Sequence, residues 1–208
     1  MSELNHFKSG NTTIIGKTGG NPEGKGLNGF LLDWYQSAPS RVVAKSRRQL
    51  LSEFFTSMLV LSATFKFRPV VGAANHLYWI NDEWSLSLIA PEEWSNERRA
   101  GFAGTCVLQR DMTWTIAPSH LLAQANPVSD AIGRFYDAFA EMLDTNLTLE
   151  DILPFYVSRL PYYQRLYANA LSRSLHAAAM LGDQTSTSCR QWILLLPQTK
   201  NSLLAYKD

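Results

Sequence analysis

Cysteine is scarce in this chain, which has only Cys106 and Cys189 among its 208 residues. The two lie far apart, in no spacing typical of metal ligands, and the four histidines are scattered along the sequence. No zinc signature is formed, and no metal site is expected. The scarcity of cysteine instead predicts a reduced, intracellular protein.

An excess of charge of either sign is also lacking. The formal net charge is +1 at pH 7, with 18% charged and 46% hydrophobic residues. This balance is typical of a globular protein. A nucleic-acid-binding role would therefore have to rest on a local basic patch.

Long hydrophobic runs are absent. A membrane-spanning helix needs about 18 apolar residues, and the best candidate, residues 54–65, is interrupted by four hydroxyl side chains. The N-terminus is polar and glycine-rich, unlike a secretory signal. We therefore expect a cytoplasmic protein that has no membrane partner.

A phosphate-binding loop is missing too, although residues 10–26, GNTTIIGKTGGNPEGKG, look like one at first sight. If Gly16-Lys17-Thr18 ended such a loop, its first glycine would fall at position 11, which is Asn11. No apolar strand precedes the stretch, and the Gly-Gly-Asn-Pro that follows cannot open a helix. Residues 1–26 are predicted to be a disordered arm that binds no nucleotide, and no cofactor is expected.

Helical periodicity is present on both sides of the central region. LNGFLLDWYQ, residues 27–36, predicts a short helix, and an apolar stripe over residues 45–63 predicts a strong one. The polar side of that second helix would carry Gln49, Glu53, Thr56 and Ser57. After Pro118, four further segments predict helices: one begins at the N-cap Asn126, one is capped by Thr148 with Asp151, one spans residues 161–181, and a short one contains Trp192.

Between these helices the hydrophobic period changes to two. HLYWI, WSLSLIA, FAGTCVLQ and TWTIA predict a four-stranded antiparallel meander over about residues 76–117. The prediction is an α+β fold in which this small sheet packs against an N-terminal helix and a helical C-terminal half. Residues 27–200 would form a single domain, followed by a tail at residues 201–208.

Catalytic motifs are not found. No Gly-x-Ser-x-Gly turn is present, and both cysteines fit small packing positions better than nucleophilic ones. Glu92 and Glu93 are adjacent and point apart in most backbones, so a role at a helix start is simpler than paired acid–base work. No catalytic residue is assigned, and the question of an enzyme stays open.

Aromatic side chains are the unusual feature, with six tryptophans and eight tyrosines. Four tryptophans belong to the predicted sheet region: Trp79, Trp84, Trp94 and Trp114. Arg98 and Arg99 lie close to them in sequence, and aromatic rings beside arginine can stack on single-stranded nucleic acid or dock a peptide. A small sheet also needs large side chains to fill its core, so both interpretations are open here.

The turn between the first two strands decides which aromatic rings face outward. A two-residue Asn81-Asp82 loop pairs Trp79 with Trp84 and Leu77 with Leu86. These four apolar side chains would then share the core face, because a slip of one residue would exchange the two faces.

The opposite face of this hairpin is the candidate binding surface. It would carry Tyr78, Ser85 and Ser87, with Arg98 and Arg99 nearby, and its mixed polar and aromatic character suits a partner molecule. We expect Tyr78 to be more exposed than Trp79.

Several short segments of the sequence resemble those of a family of uncharacterised proteins. PVVG, LYW and WSLSLIAPEEW, followed by DMTW, are similar to a domain of unknown function in bacteria that has a related domain in eukaryotes. The resemblance covers mainly residues 68–114. It implies that the sheet is the part shared by the family, and it implies no catalytic residue.

Three functions compete at this point. The first is a non-enzymatic cytoplasmic interaction or scaffold protein that docks another protein. The second is a nucleic-acid-binding accessory protein that uses the sheet aromatics and nearby cations; these cations are Lys45, Arg47, Arg48, Arg98 and Arg99. The third is an enzyme whose site is assembled from scattered residues.

Overall fold

The computed structural model describes residues 27–155, 160–197 and 203–204, and within them it contains seven α-helices and one four-stranded sheet. The helices are α1 (Leu27–Gln36), α2 (Arg47–Ser62), α3 (Asn96–Arg99), α4 (Pro127–Leu143), α5 (Leu149–Ile152), α6 (Tyr162–Leu181) and α7 (Cys189–Ile193). The strands are β1 (Ala74–Ile80), β2 (Glu83–Ser87), β3 (Phe102–Leu108) and β4 (Trp114–Pro118). The long helices flank the strands along the chain, so the predicted α+β class is confirmed. The predicted arm at residues 1–26 lies outside the described residues.

Helix α2 is the central element of the fold. It begins at Ser46, whose Oγ accepts a hydrogen bond from the backbone N–H of Gln49, and it contacts α4, α6, β2 and β4. Its predicted polar side is only partly correct. Thr56 and Ser57 are buried, because neighbours cover the helix on more than one side. The Oγ of Ser57 accepts a hydrogen bond from the backbone N–H of Trp114, which satisfies both groups in the interior.

The sheet is antiparallel, but its strand order is β2-β1-β3-β4 and not that of a meander. Strand β1 lies between β2 and β3, so the chain must pass β1 after it leaves β2. Residues 88–101 make this connection. The sequence pattern identifies strands but contains no signal for this exchange of neighbours.

The β1–β2 hairpin has the predicted two-residue turn. Asn81 and Asp82 have φ angles of 52° and 60°, as a type I′ turn requires. The register is also as predicted, with Trp79 opposite Trp84 and Tyr78 opposite Ser85.

Beyond a bulge at Leu77/Tyr78, β1 stays close to the chain that enters β3. The backbone N–H of Trp79 donates a hydrogen bond of 2.8 Å to the carbonyl of Gly101. A Cβ atom at position 101 would lie 2.3 Å from the carbonyl oxygen of Trp79, so only glycine fits there. This close approach fixes the end of β1 that carries Trp79.

The C-terminal helices begin where the sequence signals predict. The side chain of Asn126 accepts hydrogen bonds of 2.9 Å from the backbone N–H groups of Val128 and Ser129 at the start of α4. Pro127 occupies the first position of that helix. The carboxylate of Asp151 accepts from both the backbone N–H and the hydroxyl of Thr148 at the start of α5.

One hydrophobic core extends from Leu50 to Leu204 and includes side chains of both the sheet and the helices. Leu203 and Leu204 are buried in it, so the predicted tail at residues 201–208 contributes two side chains to the core. Among the described helices, none combines the length and the apolar character needed to cross a lipid bilayer.

Candidate functional site

The β1–β2 hairpin holds two tryptophans side by side. Trp79 and Trp84 are direct cross-strand partners, and their ring centroids are 4.9 Å apart at an interplanar angle of 60°. Trp84 is buried, whereas Trp79 is half-buried and keeps part of its ring accessible. The tight turn at residues 81–82 and the contact with Gly101 fix this pair on the backbone.

Helix α4 supplies the opposite wall. Ala131, Arg134 and Phe135 are three and four residues apart, so they share the helix face that looks at the hairpin. The guanidinium carbon of Arg134 lies 5.5 Å from the centroid of the Trp79 ring, a cation–π contact. Phe135 packs edge-on against Phe55 of α2, at a centroid distance of 5.4 Å, and this anchors the helix against the core.

The hairpin and α4 form the two walls of an open depression of about 490 Å³, which we call the Trp cleft. Nine residues line it: Ser62, Thr64, Trp79, Asp82, Glu83, Trp84, Ala131, Arg134 and Phe135. Thr64 is fixed to β2, because its backbone N–H donates to the carbonyl of Trp84 and its own carbonyl accepts from the backbone N–H of Leu86. Main-chain hydrogen bonds therefore hold this lining residue against the hairpin.

A second cavity, of about 400 Å³, lies next to the Trp cleft on α4 and shares Arg134 with it. Its other lining residues are Ser129, Asp130, Gly133 and Asp137. Among the described residues, four carboxylates thus line the two cavities, against the single guanidinium of Arg134. Within the described ranges, no ion pair involves Asp82, Glu83 or Asp130. The electrostatic character of this surface is acidic around an aromatic floor.

The expected exposure of Tyr78 is wrong, although its register is right. Tyr78 is only 1% exposed and is more buried than Trp79. Its hydroxyl donates a hydrogen bond of 2.9 Å to the carbonyl of Ile89, and its ring lies against Trp94 and Phe102. Burial raises the pKa of this hydroxyl to about 12. The β2–β3 connection covers the face that was expected to be open.

The two arginines of the predicted surface belong to that connection. Arg98 stacks on Trp94, with its guanidinium carbon 4.3 Å from the ring centroid. Arg99 donates hydrogen bonds to the carbonyls of Pro91, Glu92 and Trp94 and so ties the connection together. Both are exposed on their outer side, but each has an evident structural role.

The two predicted serines are half-buried. The hydroxyl of Ser87 accepts a hydrogen bond of 3.0 Å from the backbone N–H of Ile89 and shapes the turn after β2. The backbone of Ser85 forms an isolated parallel β-bridge with that of Thr64. The structure thus brings Tyr78, Ser85 and Ser87 to one face, as predicted, but not into an open site; that they bind a partner stays a prediction.

Beside the covered part, the outer face of the sheet presents a histidine. His76 Nδ1 lies 3.2 Å from the hydroxyl oxygen of Thr105 on β3. Partial burial lowers the pKa of His76, and the carboxylates of Glu92 and Glu93 offset this only in part. The pair lines neither cavity, and the imidazole is mostly neutral at pH 7.

A cluster of three ionised side chains is buried under the β3–β4 turn. The ammonium group of Lys45 contacts the carboxylates of Glu53 and Asp111, the second at 2.5 Å. Gln184 also donates a hydrogen bond to the backbone carbonyl of Lys45. The charge of Lys45 is neutralised by these two carboxylates and is buried with them. Lys45 therefore cannot contribute to the basic patch that the nucleic-acid hypothesis requires.

Two tyrosines of α6, Tyr162 and Tyr167, face inward. The Tyr162 hydroxyl donates to the carboxylate of Asp33 at 2.8 Å, and the Tyr167 hydroxyl donates to the carbonyl of Pro69 at 2.7 Å. Cys106 and Cys189 are buried free thiols, and burial raises the pKa of both, that of Cys189 to about 11. No metal-binding group of three or more candidate ligands is present in the described part of the chain.

Sequence reasoning missed the Trp cleft because it assigned Trp79 and Trp84 wholly to the core and treated Asp82 as a turn residue only. The hairpin half of the cleft follows from the register, which the Asn81-Asp82 turn predicts. Arg134 carries no comparable signal. Its meeting with Trp79 depends on how α4 packs on a sheet that precedes it in the chain.

Residues 40–129 match the model of one family, described as Protein of unknown function (DUF2452). The matched segment contains α2 and all four strands and encloses residues 68–114, so the resemblance to an uncharacterised family is confirmed over that part of the chain. It includes the hairpin side of the Trp cleft and ends before Arg134. No curated protein and no solved structure matches the chain.

Proposed function

We propose that this protein is a non-enzymatic interaction protein that docks an extended segment of a partner protein in the Trp cleft. The observation that carries the proposal is the cleft itself: an open cavity of about 490 Å³ with Trp79 and Phe135 partly exposed on its walls. Aromatic side chains in a preformed depression are typical anchors of protein interfaces. A cytoplasmic location, which two free thiols support, and a bacterial distribution are further parts of this proposal.

A nucleic-acid-binding role has less support from the same geometry. Phosphates would meet the carboxylates of Asp82, Glu83 and Asp130 in the cleft region. The cations that this hypothesis relied on are scattered, with Lys45 buried and Arg99 bound to backbone carbonyls. Over the part of the chain that the structure describes, the alternative therefore lacks a continuous basic surface with open aromatic rings.

The proposal is tested by selecting peptides and then closing the cleft. Peptides of about 12 residues are selected on the immobilised full chain from a random displayed library, and their affinities are measured by calorimetry. Ser62 is exposed on the cleft wall, so Ser62→Trp fills the cleft without disturbing the core. The matched control is Ser186→Trp, an exposed serine that lines neither cavity.

We expect the selected peptides to lose at least about tenfold in affinity for Ser62→Trp, a loss of about 1.4 kcal/mol, and to bind Ser186→Trp as they bind the wild type. Equal affinity for the two variants would place the peptides elsewhere and contradict the proposal. Failure to enrich any peptide would contradict it as well.

A further inference from the structure

We infer that the segment docked in the Trp cleft is cationic and inserts a lysine or arginine side chain beside Trp79. The inference rests on the proposed function, because it names the occupant of the same cleft. It is drawn from two separate features of the site: the carboxylates on the rim and the cation–π contact at the Trp79 ring.

The rim carries carboxylates that form no ion pair with any described residue. Asp82 and Glu83 are exposed at the hairpin end of the cleft, and Asp130 is exposed on α4 beside Arg134. Asp82 and Glu83 line the cleft and Asp130 lines the adjoining cavity, so their potentials add in the space between them and favour a bound cation. An anionic group would face these carboxylates, and of the described residues that line the two cavities only Arg134 would offset them.

The floor already holds a cation. The guanidinium carbon of Arg134 lies 5.5 Å from the centroid of the half-buried Trp79 ring, so this indole already takes part in a cation–π contact. Arg134 is exposed, and among the described residues it makes this ring contact and no ion pair. A cation from the partner can therefore take its place over Trp79 while Arg134 turns toward solvent.

These two features also decide where the partner's charge would lie. The centre of the cleft is aromatic, with Trp79, Trp84 and Phe135, and suits the aliphatic stem of a lysine or arginine. The carboxylates stand at its edge, where the charged head group would end. A neutral apolar segment would fill the floor but would leave the acidic rim without a partner.

The experiment uses four synthetic heptapeptides that differ only at two positions. The probe acetyl-SGKFKGS-amide is compared with versions in which both lysines are arginine, glutamine or glutamate, and binding to the full chain is followed by fluorescence anisotropy of a labelled peptide. We expect the lysine and arginine probes to bind at least about tenfold more tightly than the glutamine probe. The glutamate probe should bind most weakly of the four, and raising the salt concentration should weaken the cationic probes.

Two double variants locate the effect. Asp82→Asn with Glu83→Gln removes rim charges without changing side-chain size, and it should lower the affinity of the lysine probe at least fivefold. The matched control, Glu92→Gln with Glu97→Gln, removes two exposed carboxylates of the β2–β3 connection and should leave the affinity unchanged. Equal binding of the lysine and glutamine probes, no binding by any probe, or equal effects of the two double variants would each overturn the inference.

The resident cation provides a further and opposite test. Arg134→Gln uncovers Trp79 and removes a like charge, so it should raise the affinity of the lysine probe about threefold or more. A decrease would overturn the inference, because it would mean that Arg134 itself contacts the ligand. If the library selects neutral or acidic peptides and these lose affinity for the Ser62→Trp variant, docking in the cleft stands. Only the cationic specificity is then wrong.

Discussion

The ammonium group of Lys45 lies between two carboxylates that come from different parts of the chain. Glu53 is on α2 and Asp111 is in the β3–β4 turn, and the side chain of Lys45 is only 4% exposed. Burial opposes its charge, but the charges of Glu53 and Asp111 and their hydrogen bonds outweigh burial, so the pKa of Lys45 is raised. The cluster fixes the β3–β4 turn to the start of α2.

Replacement of Lys45 by Met should lower the free energy of unfolding by about 3–5 kcal/mol, because two buried carboxylates would lose their common partner. Arg48→Met is the control, since Arg48 is an exposed cation at the same end of α2, and it should change stability by less than about 0.5 kcal/mol. The measurement is urea denaturation at pH 7. A loss within 1 kcal/mol of the control would mean that the cluster contributes little.

The two carboxylates should respond to pH in opposite directions. Burial acts to raise the pKa of Asp111, but hydrogen bonds from Lys45 and Thr113 outweigh it and hold the pKa below its ordinary 3.8. Burial also raises the pKa of Glu53, and there Lys45 offsets the effect only in part, so that pKa stays above its ordinary 4.5.

Asp111 therefore contributes stability that is present above about pH 3.8 and is lost as the pH falls through its folded pKa. Glu53 contributes stability that is present below about pH 4.5 and is lost as the pH rises through its folded pKa. We expect the stability difference between wild type and Asp111→Asn to shrink on acidification, and that between wild type and Glu53→Gln to shrink on the alkaline side. Denaturation curves between pH 3 and pH 7 measure both; parallel slopes for the two variants would contradict the assignment.

At the scale of elements, α1 is attached through Asp33 and Trp34, while the other large apolar side chains that the structure describes in it are exposed. Asp33 is buried and pairs with Arg68 at 3.2 Å, while Leu32 and Tyr35 are 56% and 74% exposed. The guanidinium carbon of Arg173 lies 4.6 Å from the centroid of the Trp34 ring and adds a second attachment, between α6 and α1. In α1 a charged side chain is therefore buried while several large apolar side chains are exposed, which is the opposite of the usual pattern in an amphipathic helix.

Asp33→Ala should loosen α1 specifically. The change removes the acceptor of hydrogen bonds from Arg68 and Tyr162, which should cost about 1–3 kcal/mol. The amide groups of residues 31–36 should exchange with deuterium faster, while those of α2 should change little. Leu32→Ala is the matched control on the exposed side of the same helix and should leave exchange unchanged; equal effects of both variants would show that the polar contacts do not hold α1.

At the scale of the whole molecule, the sheet and the helices share one core around α2. Phe54 and Phe55 of α2 both contact Phe139 of α4, at centroid distances of 5.4 Å and 5.2 Å. From the same helix, Ser57 bonds to β4, and α6 reaches the C-terminus of α2 through the hydrogen bond from Gln164 to the carbonyl of Ala63. Loss of α2 packing would therefore expose the apolar faces of the sheet and of the C-terminal helices together.

A single cooperative transition is expected from this arrangement. Urea unfolding followed by tryptophan fluorescence, which reports mainly on the sheet region, should coincide with unfolding followed by far-ultraviolet circular dichroism, which reports mainly on the helices. The same midpoint should be found by both probes. Two separated midpoints would contradict the prediction that residues 27–200 form one domain.

The sequence by itself determined the features that neighbouring residues control. The start of α4 at Asn126-Pro127, the Asn81-Asp82 turn and the pairing of Trp79 with Trp84 are each decided within a few residues, by capping groups and by the backbone angles that a tight turn permits. The apolar stripe of α2 and the alternation in β2 likewise predicted helix and strand correctly. These signals are local, so they need no knowledge of the rest of the chain.

Only the tertiary structure decided which of these surfaces are covered. The register placed Tyr78 correctly opposite Ser85, yet its burial depends on residues 88–101, which cross its face because β3 pairs with β1. Arg134 reaches Trp79, and Lys45 reaches Asp111, across more than fifty residues of sequence. Burial and charge pairing are set by the elements that meet in space, and a hydrophobic period does not specify which elements those are.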